Sequence, residues 1–189
     1  MSIALADEDP IRPITVQEFY LLWESGCFDG QKVELLDGVI YPTGPQKAPH
    51  AGVIVRLNRR LARELAESVE LRVQLPLTLS ERSEPEPDFA VVLAGPRAAT
   101  GHPTTAALVV EVSDTSRRRD LVTKLPLYAQ AGVTEYWVVD VARDAVHVHQ
   151  RPAGGLYERT RIVHRGETLV PVAFPALAIA IDEILGSTS

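Results

Sequence analysis

The residues best suited to chemistry are two carboxylates and a lysine, Asp88, Glu111 and Lys124, carried on three successive segments. Asp88 follows Pro87 and opens the apolar run FAVVL, and Glu111 lies near the end of a second apolar run, ALVVEV (107 to 112). If these runs are antiparallel strands with Asp88 opposite Glu111, Ala90 faces Val109 and Val92 faces Ala107. Strand side chains alternate with a period of two, so both carboxylates then share one sheet face at neighbouring strand ends. Packing gains nothing from that pair, because like charges directly opposite destabilise a sheet unless a cation or a proton lies between them. A hard divalent ion such as Mg²⁺ takes carboxylate oxygens, and often a backbone carbonyl and waters. The pattern points to a metal held by Asp88 and Glu111, with the Val112 carbonyl as a third ligand. Singly, Asp88 reads as a turn residue after proline and Glu111 as a solvated strand end; the pair carries the argument.

The next segment, DTSRRRDLVTKLPLYAQAG, supplies the lysine. Asp120 can cap a helix running to about Ala131 and stopping at Gly132, and Lys124 and Tyr128 fall one turn apart on one face. From there Lys124 can reach back over the strand end that holds Glu111; its plainer reading is a solvated helix lysine. Pro126 restricts the helix, since proline is tolerated in a first turn and costly further in. The regular helix is therefore expected to start near Thr123, with Asp120 in the loop.

The elements that must position these residues can be read along the chain. Residues 1–14 are expected to form a flexible tail and residues 15–189 a single domain, a size that buries a core without disulfides. Thr15 caps a short helix, with Glu18 completing a capping box. KVELLDGVIYP reads as a hairpin about Asp37-Gly38. After a loop rich in Pro and Gly, a second helix runs from His50 to about Glu67, with Ile54, Leu57, Leu61 and Leu65 on its buried stripe. Arg56, Arg59, Arg60 and Arg63 fall on the opposite stripe. VELRVQLPLTLS reads as strand, EYWVVDV as a buried strand and DAVHVHQ as a half-exposed one. A turn at Gly154-Gly155, a strand near YERTRIV and a short helix at IDEIL complete an α/β fold with a mixed central sheet flanked by helices.

Composition narrows the classes. The chain is 46% hydrophobic and 23% charged, as in an ordinary globular domain. No apolar run approaches the length of a membrane span, and the acidic N-terminal stretch lacks the basic region of a signal peptide. The single cysteine, Cys27, excludes an internal disulfide and reads as structural; a cytoplasmic location is expected. A net charge of −6 weighs against tight, non-specific nucleic-acid binding, unless basic residues gather locally.

The order Pro87-Asp88, Glu111-Val112-Ser113, Thr115-Ser116-Arg117, Asp120, Lys124, Tyr128, Gly132-Val133 and Glu135-Tyr136-Trp137 resembles the Uma-type restriction endonucleases of the PD-(D/E)XK superfamily. The upstream VELLDGVI and His50 before a helix are similar too, and agreement runs from about Thr15 to IDEIL. The resemblance implies a restriction-endonuclease-like core, with Asp88 and Glu111 as its acids and Glu34 and His50 as accessory residues. On their own residues, Glu34 reads equally as a hairpin-edge residue and His50 as a helix N-terminal one. The chain departs from the superfamily pattern where Ser113 stands two residues after the glutamate, in the usual place of the lysine. Lys124 is the relocated replacement, and Ser113 and Tyr128 its neighbours at the site.

The function expected is that of a metal-dependent endonuclease. Mg²⁺ or Mn²⁺ lowers the pKa of its water for attack on a phosphodiester, and Lys124 positions the hydroxide or stabilises the transition state. The substrate expected is nucleic acid, DNA foremost, with Arg56, Arg59, Arg60, Arg63, Arg117, Arg118 and Arg119 contacting phosphates. A homodimer is expected, because two sites cut two strands and two-fold symmetry is the commonest assembly. Two rivals stand beside this reading. His147 and His149 alternate onto one side of a strand and can ligate a transition metal, although no third ligand accompanies them. A nuclease-fold module that binds a partner without cutting agrees with the acidic charge, but the intact Asp88, Glu111 and Lys124 argue against it.

Overall fold

Thr15 starts the first helix, α1 (Val16–Glu24), by a reciprocal pair of bonds. Its hydroxyl accepts from the Glu18 N–H at 3.2 Å, and the Glu18 carboxylate accepts from the Thr15 N–H at 2.9 Å. The computed structural model describes residues 12–65, 69–93 and 101–186. Strands β1 (Val33–Leu36) and β2 (Val39–Pro42) form the expected hairpin, with Asp37 and Gly38 at φ 47° and 77°. Both values suit the tight turn that matches strand twist. Gly38 is also required by contact, since a Cβ there would lie 2.2 Å from the Pro13 Cβ. Residues 12–14 of the expected tail are docked here, the Ile14 N–H donating to the Gly38 carbonyl at 3.1 Å. Residues 1–11 lie outside the described residues. Phe19, Val33 and Leu35 close a small core under this unit.

Helix α2 (Ala48–Glu64) buries Val53, Leu57 and Leu61, while Ile54 and Leu65 pack partly against the same core. The expected extension to Glu67 is not made, since Leu65 is already extended at φ −76° and ψ 136°; residues 66 and 67 lie outside the described residues. The central sheet has six strands in spatial order: β3 (Val69–Val73), β4 (Phe89–Leu93), β5 (Leu108–Ser113), β6 (Glu135–Asp140), β7 (Ala145–Ala153) and β8 (Leu156–His164). Only the β5–β6 pair is parallel, so the sheet is mixed as expected. The β4–β5 register pairs Ala90 with Val109. The VELRVQLPLTLS segment is strand only through Val73, because Gln74 turns out of the ladder at φ 54°.

Each sheet face has its own cover. Leu108, Val110 and Val112 of β5 point toward α2 and the last helix, α4 (Ile181–Leu185). Val109 points the other way, toward Tyr128 of α3 (Leu125–Gln130). Alternation therefore places Glu111 on the α3 side. The short strands β9 (Thr168–Leu169) and β10 (Ile179–Ala180) pair beside α4. Strand β7 corrects the expectation of half exposure: residues 145–150 are buried throughout. It is an interior strand, and its polar face is closed by stacking, with His149 5.9 Å from both the Tyr136 and Tyr157 rings.

The segment before α3 also differs from expectation. Residues Arg119–Lys124 form a π-helical turn that runs directly into α3, so Asp120 is helical and not part of a loop. Pro126 is the second residue of α3, directly after the wide turn, so it falls at the junction of the two helical forms. The wide turn takes up the extra residue and leaves both Asp120 and Lys124 buried.

Candidate active site

The β1–β2 hairpin, the start of β4, the end of β5 and the π-turn converge on a cleft of about 650 Å³. Glu34 enters from β1, Asp88 from the residue before β4, Glu111 and Val112 from β5, and Asp120 and Lys124 from the π-turn. His50 enters from the first turn of α2 and Gln74 from the end of β3.

Asp88 is held on both oxygens. The Val112 N–H donates to Oδ2 at 2.8 Å, the Gln74 side chain donates to Oδ1 at 3.2 Å, and His50 Nε2 lies 3.2 Å from Oδ2. Burial raises the Asp88 pKa, but His50 and the Val112 N–H outweigh it and leave the carboxyl below its ordinary value. Burial lowers the His50 pKa in turn, and the bond to Asp88 carries it back above the ordinary value. Asp88 is therefore ionised near neutral pH.

Glu111 faces a different environment. Lys124 Nζ donates to its Oε1 at 2.9 Å, and the Tyr128 hydroxyl donates to the same oxygen at 2.8 Å. Burial pushes the Glu111 pKa up to about 8, against the pull of Lys124 and with the push of Asp120, Asp88 and Glu34. Lys124 also lies 2.7 Å from Glu34 Oε2. Burial would strip its proton, but Glu111, Glu34 and Asp120 together hold it firmly charged. Lys124 is thus a fixed positive charge and not a proton acceptor. Tyr128 is held far above its ordinary pKa by burial and by Glu111, so its hydroxyl stays a donor.

Asp120, expected as a cap or loop residue and not at the site, is 2% exposed and lines the cleft. Ser116 donates to its Oδ2 at 2.5 Å, and burial raises its pKa despite Lys124. Its signal in the sequence is the spacing of four from Lys124, which puts both on one helical face. Gln74 had no comparable signal, because its role follows from the chain turning out of β3. Ser113 is fully buried, 3.5 Å from the Ser116 hydroxyl.

The donor set suits a hard cation. Asp88, Glu111 and Val112 bring only oxygen ligands to one cleft, the chemistry that Mg²⁺ or Mn²⁺ takes. Among the described residues, no three His, Cys, Asp or Glu side chains are grouped to hold an ion. The Val112 carbonyl and waters would have to complete the shell. The His147 and His149 pair lies away from this cleft, buried, with both pKa values lowered by burial.

The Uma2 family, described as "Putative restriction endonuclease", matches residues 16–182. The chain belongs to the Uma2 family. Its fold is also that of a solved structure from Anabaena variabilis ATCC 29413, titled a putative nuclease belonging to DUF820. The two superpose with a TM-score of 0.69 at 20% identity, covering 92% of this chain and 98% of that one. No curated protein matches the chain. Among the described residues, no helix is long and apolar enough to cross a membrane.

Within this Uma2 chain the seven arginines expected at phosphates fall in different places. Arg56 donates to the Ile184 and Leu185 carbonyls at 2.8 and 2.9 Å, and Arg60 to the Ala178 carbonyl at 2.6 Å. Arg56 thus binds α2 to the last carbonyls of α4, where a cation is favoured, and Arg60 binds α2 to the chain just before α4. Arg59 and Arg63 are exposed, Arg63 lying 3.1 Å from Glu64. None of these four lines the cleft. Arg117 is drawn to the buried Asp140 at the end of β6, at 2.7 Å, and Arg118 is exposed. Arg119 alone of the seven lines the cleft, where it contacts Glu34 at 3.3 Å and lies over the Tyr41 ring.

Proposed function

We propose that this protein is a metal-dependent endonuclease that hydrolyses phosphodiester bonds in nucleic acid, DNA foremost. The observation that carries the reading is the position of Lys124. It is a buried ammonium between Glu111 and Glu34, in the cleft that also holds Asp88. A lysine held charged among acids is expensive to build and serves no packing purpose. It matches what phosphodiester hydrolysis needs, a fixed positive charge where negative charge develops. Membership of the Uma2 family agrees with the reading.

Mg²⁺ or Mn²⁺ bound by Asp88, Glu111 and the Val112 carbonyl would supply an activated water and neutralise charge at phosphorus. Asp88 is kept ionised and aimed by His50, Gln74 and the Val112 N–H. Tyr128 and Lys124 fix one oxygen of Glu111 and leave the carboxylate oriented. Lys124 stabilises the charge of the transition state, and Glu34 and Asp120 hold Lys124 in its protonated form. We place the protein in the cytoplasm and as a homodimer, two-fold symmetry being the commonest assembly.

A metal-titrated nuclease assay on DNA and RNA tests the reading. Cleavage that appears with Mg²⁺ or Mn²⁺ and stops with chelator is the expected result. Absence of cleavage with either ion would leave the chain as a nuclease-fold binding module.

A further inference from the structure

The cleft's charges say what form of nucleic acid fits it. Every lysine and arginine that lines the cleft among the described residues is already tied to an acid. Lys32 pairs with Glu86 at 3.1 Å, Lys47 with Asp114 at 3.6 Å, Arg119 with Glu34 at 3.3 Å, and Lys124 with Glu34 and Glu111. Six carboxylates, Glu34, Glu86, Asp88, Glu111, Asp114 and Asp120, face these four cations. Proteins that follow a duplex neutralise many phosphates and gain affinity from released counterions. Here only Lys32 and Lys47, whose side chains are 49% and 63% exposed, can exchange their partners for phosphate.

The shape agrees. The volume of about 650 Å³ is that of a small-ligand site, and Asp88 and Glu111 are only 8% and 5% exposed within it. A stiff duplex presents its phosphates on the outside of a rod, whereas a single strand can bend one phosphate into a recess. Among the described residues no Phe, Tyr or Trp lines the cleft, and the one imidazole there, His50, is engaged with Asp88, so the cleft has no platform for stacking a long row of bases.

Resting on the nuclease reading above, we propose that the cleft takes a short single-stranded stretch, one phosphodiester with its adjoining nucleotides, and does not grip a duplex along its backbone.

The test uses the full chain with a single-stranded oligonucleotide and a duplex of the same sequence closed at both ends by hairpin loops. Cleavage is followed in Mn²⁺, and binding is measured in Ca²⁺ across a salt series. The single strand should be cut at least about tenfold faster, and its log K should fall with log salt at a slope no steeper than about −1.4, two contacts at 0.7 each. Closed duplex cut as fast as the single strand, or a single-strand slope steeper than about −3, overturns the proposal and leaves the nuclease reading standing. If neither substrate is cut, the nuclease reading fails and binding decides the rest. Tighter binding to the closed duplex then overturns the proposal, and tighter, weakly salt-dependent binding to the single strand supports it.

Discussion

Two buried glutamates on adjacent parallel strands, Glu135 and Glu111, meet opposite fates. Glu135 lies on the sheet face shared with Trp137 and accepts only from neutral donors. The Trp137 indole and the Gln150 amide bond its Oε1 at 2.7 and 2.9 Å, and the Val172 N–H bonds its Oε2 at 2.6 Å. Glu111 lies on the other face, among Asp88, Glu34 and Asp120, with the Lys124 ammonium between them, Arg119 on Glu34 and His50 on Asp88. The first arrangement is complete without any partner. The second has carboxylate in excess, which is costly in a low-dielectric site unless a further cation joins it. A buried acid therefore signals structure or chemistry by what its neighbours are, not by its burial.

The largest effect that separates the two regions should come from Lys124. Lys124→Ala is expected to lower turnover by about 100-fold or more, the loss of one preorganised charge donor, with substrate affinity nearly intact. Lys124→Arg should rescue little, since a planar guanidinium cannot occupy the same point. Turnover within a few-fold of the parent would merge Lys124 with the structural polar groups.

Glu135→Ala should do the reverse. It strands three donors and is expected to cost about 3 kcal/mol of stability, with the specific activity of the folded fraction unchanged. Thermal unfolding paired with an activity measurement below the transition checks both halves. A stable but inactive variant would break the comparison.

The two regions also separate in pH. Glu111 has its folded pKa raised from 4.5 to about 8, so its contribution to stability is present below the unfolded value and lost as pH rises through 8. Glu111→Gln should flatten that decline in metal-free protein. His149 behaves oppositely: burial lowers its folded pKa from 6.5 to about 4, so stability is lost as pH falls between those values. His149→Phe should remove the acid-side loss. Denaturant titrations at a series of pH values would show whether each slope belongs to the residue named.

Much of this was legible in the sequence because it depended on local periodicity. The register that faces Ala90 with Val109 follows from alternation in two apolar runs, and the Thr15 cap and Asp37-Gly38 turn follow from side-chain chemistry. Lys124 was legible as a cation one turn from Tyr128, and the structure puts both on Glu111. Glu34 and His50 came only from family resemblance, because a hairpin and a helix start give no hint of the distant residue they will meet. Asp120 was misplaced because proline rules predict where a regular α-helix begins and not a π-turn ahead of it. Arg56 and Arg60 were expected at phosphates because helix periodicity puts them on the stripe opposite the core and cannot foresee that the chain end returns to cover them. Polar alternation misled at β7 for a similar reason, since His149 is buried by stacking on tyrosines from other strands.

The central proposal is that Asp88 and Glu111 hold the metal, and calorimetric titration with Mn²⁺ tests it most directly. The parent chain should bind the ion, and Asp88→Ala and Glu111→Ala should each abolish binding while the metal-free proteins stay folded. Unchanged Mn²⁺ affinity in both variants would contradict the account.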